Sequence, residues 1–127
     1  MNQETKTLSI VMLGASGAVG TQAVNKLLTM SEINQLTILG RRQSNHQHEK
    51  INDNIVDVLD SSTYDEFLSG HEVAICTLGV GEPSKISREE FTKVDFDAVL
   101  EFAKACKVAG VKHFQLLSSV AVNVEVP

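Results

Sequence analysis

The sequence has no apolar run that approaches the roughly 18 uncharged residues a bilayer-spanning helix requires, so no segment reads as a membrane anchor. It also lacks a basic excess. Eleven Lys and Arg stand against 16 Asp and Glu, a formal net charge of −5, whereas a general nucleic-acid binder carries a positive surface. The N-terminus, Met1 to Thr7, is polar and contains Glu4, which excludes the apolar core of a secretory signal. Cysteine is scarce. Cys76 lies in an apolar strand-like run and Cys106 in a helical pattern, with no C-x-x-C pair between them. They read as reduced, buried thiols, and the expected compartment is the cytoplasm. His46 and His48 stand near Glu49 and Asp53, but in a polar loop with no fixed scaffold, so no metal site is expected. There is no internal repeat and no low-complexity segment.

What remains is the composition of one soluble globular domain over residues 1–127, with 43 % hydrophobic and 21 % charged residues. Leu8 to Leu13 is a short, nearly continuous apolar run ending at Gly14, as in a strand buried on both faces of a parallel sheet. From Ala18 the period changes. Val19, Ala23 and Leu27, widened by Val24 and Leu28, give one apolar helical face to about Met30. Leu36 to Leu39 predicts a second strand, stopped by Gly40, and Arg41 to Lys50 is a wholly polar loop.

Ile51 to Val58 holds a third strand centred on Ile55 and Val56. Ser62 to Gly70 predicts a short helix, with Ser62 and Asp65 at capping-box spacing. Val73 to Leu78 is a fourth strand. Ser87 and Glu90 repeat the capping-box spacing before a long helix striped by Phe91, Val94, Ala98, Phe102, Ala105 and Ala109 and stopped by Gly110. Val111 to Leu117 gives a fifth strand. Strands alternating with helices predict an α/β fold, a doubly wound parallel sheet in the order 3-2-1-4-5.

Gly14-Ala15-Ser16-Gly17-Ala18-Val19-Gly20 falls between the first strand and the first helix, where a dinucleotide-binding loop must lie. Gly14 turns the chain off the strand, Gly17 keeps a side chain away from the pyrophosphate, and Gly20 lets the helix approach the sheet. The unpaired amides and positive dipole end of that helix then favour the anion. NAD-binding domains of this fold usually carry an acid at the end of strand two, on the ribose 2′-hydroxyl. Here Leu39-Gly40-Arg41-Arg42 stands there, with no acid before Glu49. A carboxylate repels a 2′-phosphate; a guanidinium gives it charge-assisted hydrogen bonds. NADP rather than NAD is the expected cofactor.

Taken together, VMLGASGAVG, LTILGRR, VDVLD, AICTLG and FTKVDFDAVLEFAKACKVAGVKHFQLLSS resemble the atypical and extended short-chain dehydrogenase/reductase superfamily. Within it they are most similar to the Tat-interacting-protein-like, epimerase-like group, over Leu8 to Ser119. That resemblance implies an NAD(P)-binding Rossmann domain of an oxidoreductase. It places Asp57 and Val58 on the adenine edge, Leu78 and Gly79 along the ribose and nicotinamide path, and Ser119, or else Ser118, as the active-site serine. Glu82 to Lys85 would lie near the nicotinamide end.

The family's chemistry also uses a Y-x-x-x-K pair on the helix after strand five. Tyr64 is the only tyrosine and is followed four residues later by Leu68, so the pair is absent from this chain. The chain is therefore expected to hold a cofactor site without a complete active site, to be inactive alone, and to stop before the substrate-binding part. Its substrate, a small molecule, is not specified. A non-catalytic NADP-binding redox sensor or regulatory module is the alternative. Strand five, without a sixth neighbour, implies a longer native polypeptide or association with another copy through that edge.

Overall fold

The computed structural model describes residues 7–77 and 88–116, with the side chains of 88–95 excepted. The elements run β1 (Leu8–Leu13), α1 (Ala18–Leu28), β2 (Ile33–Gly40), β3 (Ile51–Ile55), β4 (Val73–Cys76), α2 (Arg88–Ala109) and β5 (His113–Leu116). All four strand pairings are parallel and the sheet order is β3-β2-β1-β4-β5, as the alternation predicts. The Ser87 capping position, the Phe91 and Val94 side chains, the Glu82 to Lys85 loop and Leu117 lie outside the described residues.

Strand periodicity divides the core. Successive side chains on β1 point to opposite faces. Ile10 and Met12 join Val24, Leu36, Ile38 and Ile75 under α1, while Val11 and Leu13 join Leu39, Ala74, Cys76, Ala98, Phe102 and Cys106 under α2. The unbroken apolar run Ile10 to Leu13 in β1 is thus required because both faces are covered there. α1 centres its apolar stripe on the fully buried Val24, with Ala23, Leu27 and Leu28 packed at its flanks. Burial also pushes the Cys106 thiol up to about 12, aided by nearby Cys76, so it stays protonated at neutral pH.

Several boundaries differ from expectation. β2 begins at Ile33, because the Ile33 side chain is buried in the α1-side core and Leu8 pairs with it. β3 ends at Ile55, although the Val56 amide still donates to Gly40 O at 2.8 Å. α1 stops at Leu28, where the Thr29 hydroxyl turns back onto Lys26 O at 2.7 Å. β5 starts at His113 and not Val111, because the preceding residues close the end of α2 through Gly110 N to Lys107 O and Val111 N to Cys106 O.

The largest correction concerns Ser62 to Gly70, which forms no α-helix. Two 3₁₀ turns, Ser61–Thr63 and Asp65–Phe67, stand there instead. Asp60, not Ser62, is the cap: its Oδ1 accepts from Ser62 N at 3.0 Å and Ser62 Oγ at 2.7 Å. The Thr63 hydroxyl donates back to Asp60 O at 2.7 Å. These local side-chain bonds compete with helix propagation. Tyr64 sits between the turns at φ −135°, and its ring enters the core with no solvent exposure.

Tyr64 meets Phe102 edge-on, with ring centroids 6.1 Å apart. Its hydroxyl is buried without a hydrogen-bond partner among the described residues. Burial, and next the charge of Glu101, push its pKa well above the usual phenol value. The ring therefore contributes packing while the hydroxyl costs desolvation. Tyr64→Phe keeps the ring and removes the orphan, so a stability gain of about 1 kcal/mol is expected in urea unfolding; a loss of that size would show that the hydroxyl is satisfied in solution.

One polar contact ties the layers together. Thr37, buried in the middle of β2, places its hydroxyl 2.8 Å from His71 Nε2, and His71 Nδ1 lies 3.2 Å from Leu68 O. A carbonyl only accepts, so His71 Nδ1 donates to Leu68 O, while Nε2 and the Thr37 hydroxyl share the other hydrogen bond. His71 is thus a packed strand-end residue.

Candidate dinucleotide site

The site forms at the carboxyl ends of β1 and β2, the edge of an open parallel sheet at which ligands bind. A cavity of about 430 Å³ is lined by Leu13, Gly14, Ala15, Ser16, Ile38, Leu39, Gly40, Arg41, Arg42, Ser44 and Val58. Gly14, Ala15 and Ser16 supply its floor, the two arginines its outer rim, and Val58 an apolar wall from beyond β3.

Two glycines are required by geometry. Gly14 has φ +97°, a backbone conformation that side chains strain to adopt. At Gly20, a Cβ would drive into the Gly14 carbonyl oxygen and stand 3.0 Å from Ala15 Cα, so α1 packs directly on the loop backbone. Gly17 is the N-cap of α1, with extended ψ of 175°, followed by Ala18, Val19 and Gly20 in the first turn. No side chain caps this end, and no acidic residue stands in its first turn. Its amides and dipole are therefore available to an anion. A glycine cradle that a Cβ would fill, opening on uncapped helix amides, fits a pyrophosphate.

The loop is held by a residue the sequence did not single out. Thr77, buried just beyond β4, donates from its hydroxyl to Gly14 O at 2.7 Å, and its amide donates to Leu13 O at 2.9 Å. The Thr21 hydroxyl, 3.4 Å from Ala15 O, makes a weaker second tie. Only the pairing of β1 with β4 brings Thr77 to Gly14, so nothing local in the sequence signals it.

The other sequence-derived positions divide. Arg41 and Arg42 are exposed on the rim, and no acidic residue lines the cavity among the described residues. Val58 lines it and is buried, whereas Asp57 does not line it. The Asp57 Oδ1 instead accepts from Leu59 N at 3.0 Å in a local turn. Leu78, Gly79, Ser118 and Ser119 lie outside the described residues. Ser44, not anticipated, lines the cavity beside the arginines. Asp53, from the metal-ligand candidates, is bonded to Ser44. Among the described residues no group of three or more His, Cys, Asp or Glu could hold a metal ion, and no helix is long and apolar enough to cross a membrane.

A five-stranded parallel sheet with a glycine cradle at the β1–α1 junction defines a nicotinamide-dinucleotide-binding Rossmann domain. The chain belongs to the NAD(P)H-binding family, which matches residues 14–127. It is 36 % identical over 114 residues to Protein HTATIP2 of Rattus norvegicus, covering 87 % of this chain and 47 % of that protein. It is 31 % identical over 120 residues to Protein FMP52, mitochondrial, of Meyerozyma guilliermondii, covering 92 % of this chain and 51 % of that protein. The chain thus spans about half the length of the curated relatives it matches.

Among solved structures, a variant of uronate dehydrogenase from Agrobacterium tumefaciens complexed with NAD superimposes with a TM-score of 0.72 at 14 % identity. That match covers 89 % of this chain and 41 % of that one. A short-chain dehydrogenase/reductase superfamily protein of the same organism, with bound NAD, gives 0.67 at 18 % identity over 85 % and 31 % of the two chains. These likenesses establish the fold.

Proposed function

We propose that this domain binds NADP(H) in preference to NAD(H) and forms the nucleotide half of a short-chain-dehydrogenase-like oxidoreductase or epimerase-like protein. The carrying observation is the rim: Arg41 and Arg42 border a cavity whose described lining holds no carboxylate. Gly14, Ala15, Ser16 and Gly17 with the first turn of α1 hold the pyrophosphate in this reading, Val58 packs beside the adenine, and the guanidinium groups take the 2′-phosphate. The bound cofactor supplies hydride transfer. By family resemblance Asp57 flanks the adenine, Leu78 and Gly79 follow the ribose and nicotinamide, and Ser119 serves the reacting group. Cysteine usage supports the cytoplasmic expectation, which cell fractionation tests against the mitochondrial label that the FMP52 relatives carry.

Titration of the intact protein with NADPH and NADH, read by nicotinamide fluorescence, tests the cofactor. Charge-assisted hydrogen bonds to a phosphate predict NADPH binding tighter by roughly ten- to a hundredfold. The Arg41→Ala/Arg42→Ala double variant is expected to lose that preference while keeping its affinity for NADH. Equal or NADH-favouring binding by the unaltered protein overturns the assignment.

A further inference from the structure

We infer that Asp53 is a positioning residue for cofactor selectivity: it latches the arginine-bearing loop onto the sheet through Ser44. The inference rests on the NADP reading and concerns how that site is held in shape. Parallel pairing of β2 with β3 sets Asp53 opposite Ile38, two residues before Gly40. From there the carboxylate reaches back across the loop. Its Oδ2 accepts from the Ser44 amide at 3.0 Å and from the Ser44 hydroxyl at 2.7 Å, and its Oδ1 lies 3.3 Å from the same amide. Ser44 Oγ in turn accepts from the His46 amide at 3.2 Å.

The loop that leaves β2 is consequently fixed at two points. At its root, Gly40 pairs with Ile55 and its carbonyl accepts from Val56 N at 2.8 Å. At its far side, Ser44 is held by Asp53. Arg41, Arg42 and Gln43 lie between these anchors, and both arginines face the cavity that Ser44 also lines. A loop ordered before the ligand arrives loses less entropy on binding, so its groups act at closer to their full strength. Charged hydrogen bonds to a backbone amide and a hydroxyl are strong enough to impose that order.

A carboxylate beside an anion site could act in the opposite sense, by repelling the 2′-phosphate. Its lone pairs are engaged by Ser44 donors, which turns its charge to holding the loop. The sign of the mutational effect separates the two.

The experiment titrates the intact protein and its Asp53→Ala and Asp53→Asn variants with NADPH and NADH. It also follows hydrogen exchange at the Ser44 amide in the nucleotide-free protein. Loss of the latch predicts NADPH affinity about tenfold weaker in Asp53→Ala, with NADH affinity within about twofold of the starting value. Ser44 amide exchange accelerates in the same variant. Asp53→Asn keeps one side-chain oxygen as an acceptor and is expected to fall between the two. A merely structural role would weaken both nucleotides alike. NADPH binding that strengthens in both variants, or an unchanged NADPH-to-NADH ratio in Asp53→Ala, overturns the latch and leaves the NADP reading standing. An unaltered protein without preference for NADPH overturns both.

Discussion

Gly20→Ala is expected to lower dinucleotide affinity by at least about tenfold and to destabilise the domain by about 1–3 kcal/mol. Helix propensity alone predicts the reverse, since alanine within a helix is favoured over glycine by about 1 kcal/mol. Packing decides the sign. The added Cβ meets the Gly14 carbonyl oxygen and the Ala15 backbone, neither of which is the free end of a flexible side chain. Relief requires α1 to move off the loop, which displaces the first-turn amides from the anion site and strains the Thr77 bond to Gly14 O. Asn25→Ala, at an exposed position of the same helix, is the control and should be neutral or slightly stabilising. Thermal unfolding with and without nucleotide reads both effects. A Gly20→Ala protein that is more stable and binds as before would show that the helix is not seated on the loop.

Phe102→Ala carries the largest expected loss of stability, about 3–5 kcal/mol. The side chain is fully buried on α2, and it meets the Tyr64 ring at 6.1 Å and the Phe114 ring at 5.6 Å. It therefore joins three separate pieces of chain: the 3₁₀ turns, α2 and β5. Its removal leaves a cavity and unmakes two aromatic contacts, each contributing about 0.5–1.5 kcal/mol beyond area burial. Domains of this size are stable by only about 5–15 kcal/mol, so the variant is expected to unfold on the order of 10–20 °C lower. A shift below a few degrees would mean that this side of the sheet does not depend on the Phe102 ring. The affinity of whatever remains folded should change little, because Phe102 does not line the cavity.

The parts of the fold legible in the chain were those with a local cause. β1 could be read to its ends, because five apolar residues in six, bounded by Gly14, have one common solution, a strand covered on both faces. The sheet order followed from alternation and right-handed crossovers. The glycine loop was readable for the same reason, since turn, close approach and helix start are neighbours in sequence. Residues 61–67 were misread because Ser62 and Asp65 have helix-cap spacing, whereas Asp60 and Thr63 hold the chain in separate 3₁₀ turns. Asp57 is placed at the adenine edge by the family resemblance alone, and the bond that its carboxylate accepts from Leu59 N is a local contact that the sequence does not mark.

By itself, then, the sequence determined the class of fold, the place of the glycine cradle and the arginines at the end of β2, each written within a few neighbouring residues. Tertiary structure decided which distant groups hold that site in shape. Thr77 reaches the Gly14 carbonyl, and Asp53 reaches Ser44, only because parallel strands bring separate segments of chain into register. Periodicity reports which face of a strand is covered. It carries no record of which side chain on the next strand will arrive opposite, because that is fixed by the packing of the whole sheet.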